Sequence, residues 1–159
     1  MTIITKRKSF DAAHWLPNHY GKCHNLHGHT YIVECSVAGN RLDTPGHSSN
    51  GMVLDFAVLK EAMNSIIILW DHHVLTPYTH DQLVQLFKNN KKQLEQFGLR
   101  HARCVPIGED TTAENLAHIF AEHIYDALQG RKIAFDFVRI LLHETPDSWA
   151  IAEIPQRGE

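Results

Sequence analysis

The chemistry of this chain is concentrated in the run Cys23-His24-Asn25-Leu26-His27-Gly28-His29-Thr30-Tyr31. Two histidines one residue apart project to the same side of an extended strand, so His27 and His29 can converge on one metal ion. A third imidazole, His14, ends the run Phe10-Asp11-Ala12-Ala13-His14. It joins the pair if the two segments form a hairpin. Three neutral imidazoles leave a divalent ion its full charge and one open position, which is the arrangement of a catalytic zinc. The bland alternative for a lone His-x-His is a surface or hydrogen-bonded pair. The nearby cysteine and the third histidine weigh against that alternative.

These residues need elements to hold them. Thr2 to Ala12 and Thr30 to Ala38 carry alternating or β-branched residues and read as two antiparallel strands joined through a loop from Pro17 to Gly28. After a turn-rich loop from Asn40 to Gly51, Asp55 caps a helix whose apolar residues Val58, Leu59, Ala62, Met63, Ile66 and Ile67 recur at helical spacing and which ends near Trp70. Asp81 to Phe97 and Thr112 to Leu128 read as two further helices, and Ile133 to Leu142 and Ser148 to Ala152 as closing strands. The order is ββααββ, with an extra helix between the two main ones.

Composition sets bounds on function. The 159 residues, 43% hydrophobic, fit a single domain over 1–159 with a core of its own. A net charge of −3 with interspersed signs gives no footprint for nucleic acid. No signal peptide is recognisable at Met1 to Lys6, and the longest apolar stretch, Ser65 to Trp70, is too short to span a bilayer, so a cytoplasmic, membrane-free protein is expected. Three cysteines, Cys23, Cys35 and Cys104, lack Cys-x-x-Cys spacing, which argues against a disulfide framework or a thiolate finger. Cys35 reads as a small buried hydrophobe.

Six blocks carry a resemblance: Phe10 to Leu16, Cys23 to Tyr31, Met52 to Phe56, Leu69 to His73, Asp110 to Ala117, and His143-Glu144-Thr145. Their order resembles the 6-pyruvoyltetrahydropterin and 6-carboxytetrahydropterin synthase family. The three residues between Cys23 and His27 resemble the 6-carboxytetrahydropterin synthases of queuosine biosynthesis, since the pyruvoyl-forming enzymes place the cysteine further ahead.

The resemblance implies an α+β T-fold, a four-stranded antiparallel sheet with helices on one face, here with an insert at roughly 75–108. It implies a substrate, 7,8-dihydroneopterin triphosphate, and a zinc ion on His14, His27 and His29. Cys23 is then the base, its thiol pKa lowered by the metal and by histidine. Asp71 orients His72 as a second acid–base pair; the plain reading of that pair and of His73 is a helix C-terminus favoured by its dipole. Glu144 anchors the pterin ring by accepting two N–H bonds. Thr111 and Thr112 contact the pterin edge, against a simple helix-capping role shared with Glu114. Lys22, Arg7 and Lys8 are candidates for the triphosphate. Assembly as a homohexamer, a dimer of trimers, is also implied. The rivals are a 6-pyruvoyltetrahydropterin synthase and a non-catalytic pterin-binding module, the latter disfavoured by Cys23, Asp71 and His72 together.

Overall fold

A computed structural model describes residues 1–157. Strand β1 (Thr2–His14) and strand β2 (His27–Gly39) pair antiparallel along their whole length, with His14 opposite His27, Ala12 opposite His29 and Phe10 opposite Tyr31. Both strands run further toward the connecting loop than their alternation predicts. Gly28 explains part of that extension, because a Cβ there would meet the Ala12 carbonyl oxygen at 3.2 Å. The glycine lets β2 approach β1 closely at the point where the histidines stand.

Helix α1 (Phe56–Trp70) begins where Asp55 predicts: the Asp55 carboxylate accepts the Ala57 N–H at 2.7 Å. Strand β3 (His73–Thr76) follows. Helix α2 (His80–Gln96) is opened by a capping box between Thr79 and Gln82, and strand β4 (Cys104–Pro106) ends the insert. Helix α3 (Ala113–Gly130) is capped by Thr112, and strands β5 (Phe137–Thr145) and β6 (Ser148–Pro155) close the fold.

The sheet has six strands in the order β4-β3-β1-β2-β5-β6, not the expected four. The four long strands are antiparallel neighbours, as expected; β3 and β4 add in parallel on the free edge of β1. The edge of β1 would otherwise leave backbone N–H and C=O groups unpaired, and α2 supplies the crossover that a parallel pair requires. The insert therefore extends the sheet as well as adding a helix.

Alternation decides the layers. Phe10, Ala12, Tyr31, Val33, Cys35, Val37, Val138, Ile140 and Leu142 point to one face, where they meet Leu59, Met63 and Ile66 of α1 and Leu116, Phe120 and Ile124 of α3. Leu116 and Phe120 are wholly buried, and each such side chain contributes on the order of 2 kcal/mol of transfer free energy. The opposite face carries Trp149 and Ile151, exposed at 54% and 62%. The T-fold expectation, an α+β sheet with the main helices on one face, holds.

Candidate active site

His14, His27 and His29 share the helix-covered face at one end of the β1–β2 ribbon, and one ring nitrogen from each lies within 4.8 Å of the others. The backbone orients two of the rings. His14 Nδ1–H donates to the Thr111 carbonyl at 2.8 Å and His27 Nδ1–H to the Asn25 carbonyl at 2.8 Å. Each bond fixes the tautomer that leaves Nε2 as a lone pair, which is the usual outer support of a metal-bound histidine. Thr111 is itself wholly buried and donates its hydroxyl to the Trp15 carbonyl at 3.0 Å.

Glu144 completes this corner. Its Oε1 lies 3.3 Å from His14 Nε2 and 3.8 Å from His29 Nε2. Neither nitrogen has a hydrogen-bond partner among the described residues, although both are buried. Burial holds the His14 imidazole down to about 4, a direction its neighbouring histidines reinforce, and burial also lowers His29. Near neutral pH the ring faces the carboxylate as a bare lone pair, an arrangement that calls for a cation. The donor set, three imidazole nitrogens with an oxygen at hand, fits a divalent metal ion.

Cys23 sits in a 3₁₀ turn, Lys22–His24, tied to the end of β1 by the Leu16 N–H, which donates to the Cys23 carbonyl at 2.8 Å. Its sulfur is not one of the converging ligand atoms. Behind this turn, residues of the insert, among them Leu86, Phe87 and Cys104, enclose with Trp15, His24 and Leu26 an apolar cavity of about 370 Å³. The insert thus backs the segment that carries the cysteine.

Asp71 and His72 are not gathered with the three histidines within one chain. They stand at the β1 edge beside Asp11, whose side chain points to the sheet face opposite His14. Asp71 Oδ1 accepts the Asp11 N–H at 2.9 Å and lies 3.0 Å from His72 Nδ1, while Asp11 accepts the Thr30 hydroxyl at 2.6 Å. The Asp11 N–H, followed by the His72 contact, holds the Asp71 carboxyl below the usual carboxylate range. His72 adopts a left-handed backbone, φ 58°, stabilised by its N–H to the Asp11 carbonyl. His73 Nδ1–H donates to the Asp71 carbonyl at 2.7 Å. Asp11 was not singled out from sequence, although it lies in the same block as His14.

Thr112 caps α3 by accepting the Asn115 N–H at 3.3 Å, and Glu114 takes no part in that cap. Among the cations considered for triphosphate, Lys8 donates to Asn64 at 2.6 Å and Arg7 lies 3.8 Å from Glu34. Lys22 adjoins Cys23 and is drawn into no ion pair among the described residues. Cys35 is wholly buried, and desolvation pushes its thiol up to about 12, as its reading as a core hydrophobe requires.

The model of the 6-pyruvoyl tetrahydropterin synthase family matches residues 3–155. The chain belongs to that family. It is an enzyme, a lyase of the tetrahydropterin synthase type. It is 33% identical over 152 residues to the 6-carboxy-5,6,7,8-tetrahydropterin synthase of Haemophilus influenzae, covering 94% of this chain and 96% of that one. It is 46% identical over 83 residues to the protein of the same name from Synechocystis, a match that spans 52% of this chain and 61% of that protein. Among solved structures, 6-pyruvoyl tetrahydropterin synthase from Plasmodium falciparum superposes with a TM-score of 0.71 at 18% identity, covering 98% of both chains, and so shares the fold. Among the described residues of this family member, no helix is long and apolar enough to cross a membrane.

Proposed function

We propose that this chain is a zinc-dependent 6-carboxy-5,6,7,8-tetrahydropterin synthase. It converts 7,8-dihydroneopterin triphosphate and water to 6-carboxytetrahydropterin, acetaldehyde and triphosphate, on the route to queuosine and related 7-deazaguanines. The observation that carries the reading is the convergence of His14, His27 and His29 beside the Glu144 carboxylate. The Cys23 spacing and the names of the curated relatives support the carboxy product over the pyruvoyl product.

His14, His27 and His29 would hold the zinc, which supplies Lewis acidity toward side-chain oxygens of the substrate. Glu144 accepts the amino group and adjacent ring N–H of the pterin, a planar two-point contact that rejects rings lacking that edge. Cys23 removes a proton from a side-chain carbon that bears a hydroxyl. Asp71 keeps His72 in one tautomer, and the pair moves a proton on the opposite side of the substrate. Thr111 acts through its carbonyl on His14, and Thr112 presents backbone groups at the start of α3 to the pterin edge. Lys22 is the cation for the triphosphate.

The placement of Asp71 and His72 at the β1 edge, outside the converging histidine set, supports a site completed by a neighbouring chain. The exposed Trp149 and Ile151 on the helix-free face support burial between copies. The assembly is a homohexamer, a dimer of trimers, working in the cytoplasm on a small-molecule pterin without nucleic-acid or membrane partners. Incubation of the purified protein with dihydroneopterin triphosphate, followed by mass analysis, tests the activity. Acetaldehyde with a carboxylated pterin supports the proposal, a pyruvoyl pterin assigns the sister reaction, and unchanged substrate points to a binding module.

A further inference from the structure

Tyr31 is a group in this region that the proposed chemistry leaves unused. It is wholly buried, stacked on Phe10 at 5.1 Å and edge-on to His29 at 5.5 Å and His14 at 6.0 Å. Its hydroxyl has no hydrogen-bond partner among the described residues. A buried phenol normally uses its O–H, because leaving it unpaired in apolar surroundings costs stability that phenylalanine in the same packing would not.

Register places this hydroxyl next to the ring-binding carboxylate. Strands β2 and β5 pair Ile32 with His143. One further step of the antiparallel ladder sets Tyr31 opposite Glu144, with both side chains on the helix-covered face. A phenol carries its proton near neutral pH. A donor therefore stands beside an acceptor pair. On a 2-amino-4-oxopyrimidine ring, the amino group and N–H that a carboxylate accepts are followed directly by a carbonyl oxygen. That oxygen accepts a hydrogen bond, and the unpaired donor on the neighbouring strand is the Tyr31 hydroxyl.

We propose that Tyr31 is a specificity-determining residue, its phenol O–H donating to the ring carbonyl oxygen beside the N–H edge held by Glu144. Together the two residues read a donor–donor–acceptor edge. The inference rests on the proposed role of Glu144 as the pterin anchor.

The test is equilibrium binding to the zinc-loaded protein, followed by pterin fluorescence, with two unreactive probes: neopterin, and 6-methylpterin, which lacks the hydroxylated side chain. Tyr31→Phe is expected to weaken both by the same factor, about five- to tenfold. Zinc content is expected to stay constant, and the ligand-free melting temperature to equal or exceed that of the parent. Unchanged affinity would overturn the proposal. So would a loss confined to neopterin, which moves the contact to the side chain, or a loss of zinc, which moves it to the metal. A lower ligand-free melting temperature would reveal a partner for the hydroxyl inside the chain and have the same effect. If Glu144→Gln abolishes binding while Tyr31→Phe does not alter it, the anchor stands and the Tyr31 inference fails. If the parent protein binds neither probe, both fail.

Discussion

His14 Nε2 and Glu144 Oε1 approach to 3.3 Å, the lone pair of an imidazole that burial keeps neutral set against a carboxylate oxygen at the end of the sheet. A divalent cation resolves that repulsion. Replacing His27 or His29 with Ala removes one of three neutral ligands, so the purified variant is expected to carry far less than stoichiometric zinc and to lose turnover, while its circular dichroism stays close to that of the parent. Metal analysis decides the matter: full activity in a zinc-poor preparation contradicts the assignment.

The depressed imidazoles also set an acid limit on the metal-free protein. His14 sits at about 4 in the folded chain against an ordinary 6.5, so between those values the unfolded chain binds a proton that the native chain refuses. Stability therefore falls as pH drops through this window and is insensitive to this group above 6.5. His29 and His123, lowered by burial, act in the same direction. Thermal melts of zinc-free protein from about pH 7 down to about pH 5, above the ordinary carboxylate range, should show a declining midpoint. A flat profile would argue against neutral burial of these rings.

Cys23 and Cys35 should separate cleanly. Cys23→Ala is expected to retain zinc, since its sulfur is outside the converging set, and to lose roughly 100-fold or more in turnover, as for a missing general base. Zinc loss in that variant would instead make the cysteine a ligand. Cys35→Ala should leave turnover near the parent value and cost about 1 kcal/mol of stability, the scale of a small core truncation.

Shared sites predict complementation. Inactive Cys23→Ala and inactive His72→Ala chains, mixed under conditions that permit subunit exchange, should recover part of the parent activity, and the parent should elute well above its 18.2 kDa chain mass. A fully active monomer on a sizing column excludes the arrangement.

The parts legible in the sequence were those written in local periodicity. The helical stripe ending at Trp70, the cap at Asp55 and the two-residue alternation of His27 and His29 all survive in the fold. Strands β3 and β4 were missed because four and three residues carry no measurable alternation; their pairing depends on the free edge of β1. The start of β2 reads as loop because Gly28 interrupts the β-branched pattern, although close approach of β1 is what the glycine permits. Strand β5 starts at Phe137, not Ile133, since Lys132 takes a left-handed turn, φ 56°, and the chain reaches the sheet only after it. Asp11 and Tyr31 lie inside motif blocks, yet no local spacing marks a role for either. Their importance arises from groups brought alongside by other strands, Asp71 in one case and Glu144 in the other.

The 13-residue ladder between β1 and β2 has a consequence for how the molecule matures. Slipping that ladder by one residue would turn His27 and His29 to the face away from His14 and scatter the ligands. Only the correct alignment offers three imidazoles to one ion, so an ion captured there withdraws misaligned hairpins from the population by mass action. Under the proposed zinc assignment, metal supply during synthesis would act as a proofreader of strand alignment, and chains made under chelation should include a fraction that refolds once zinc is restored.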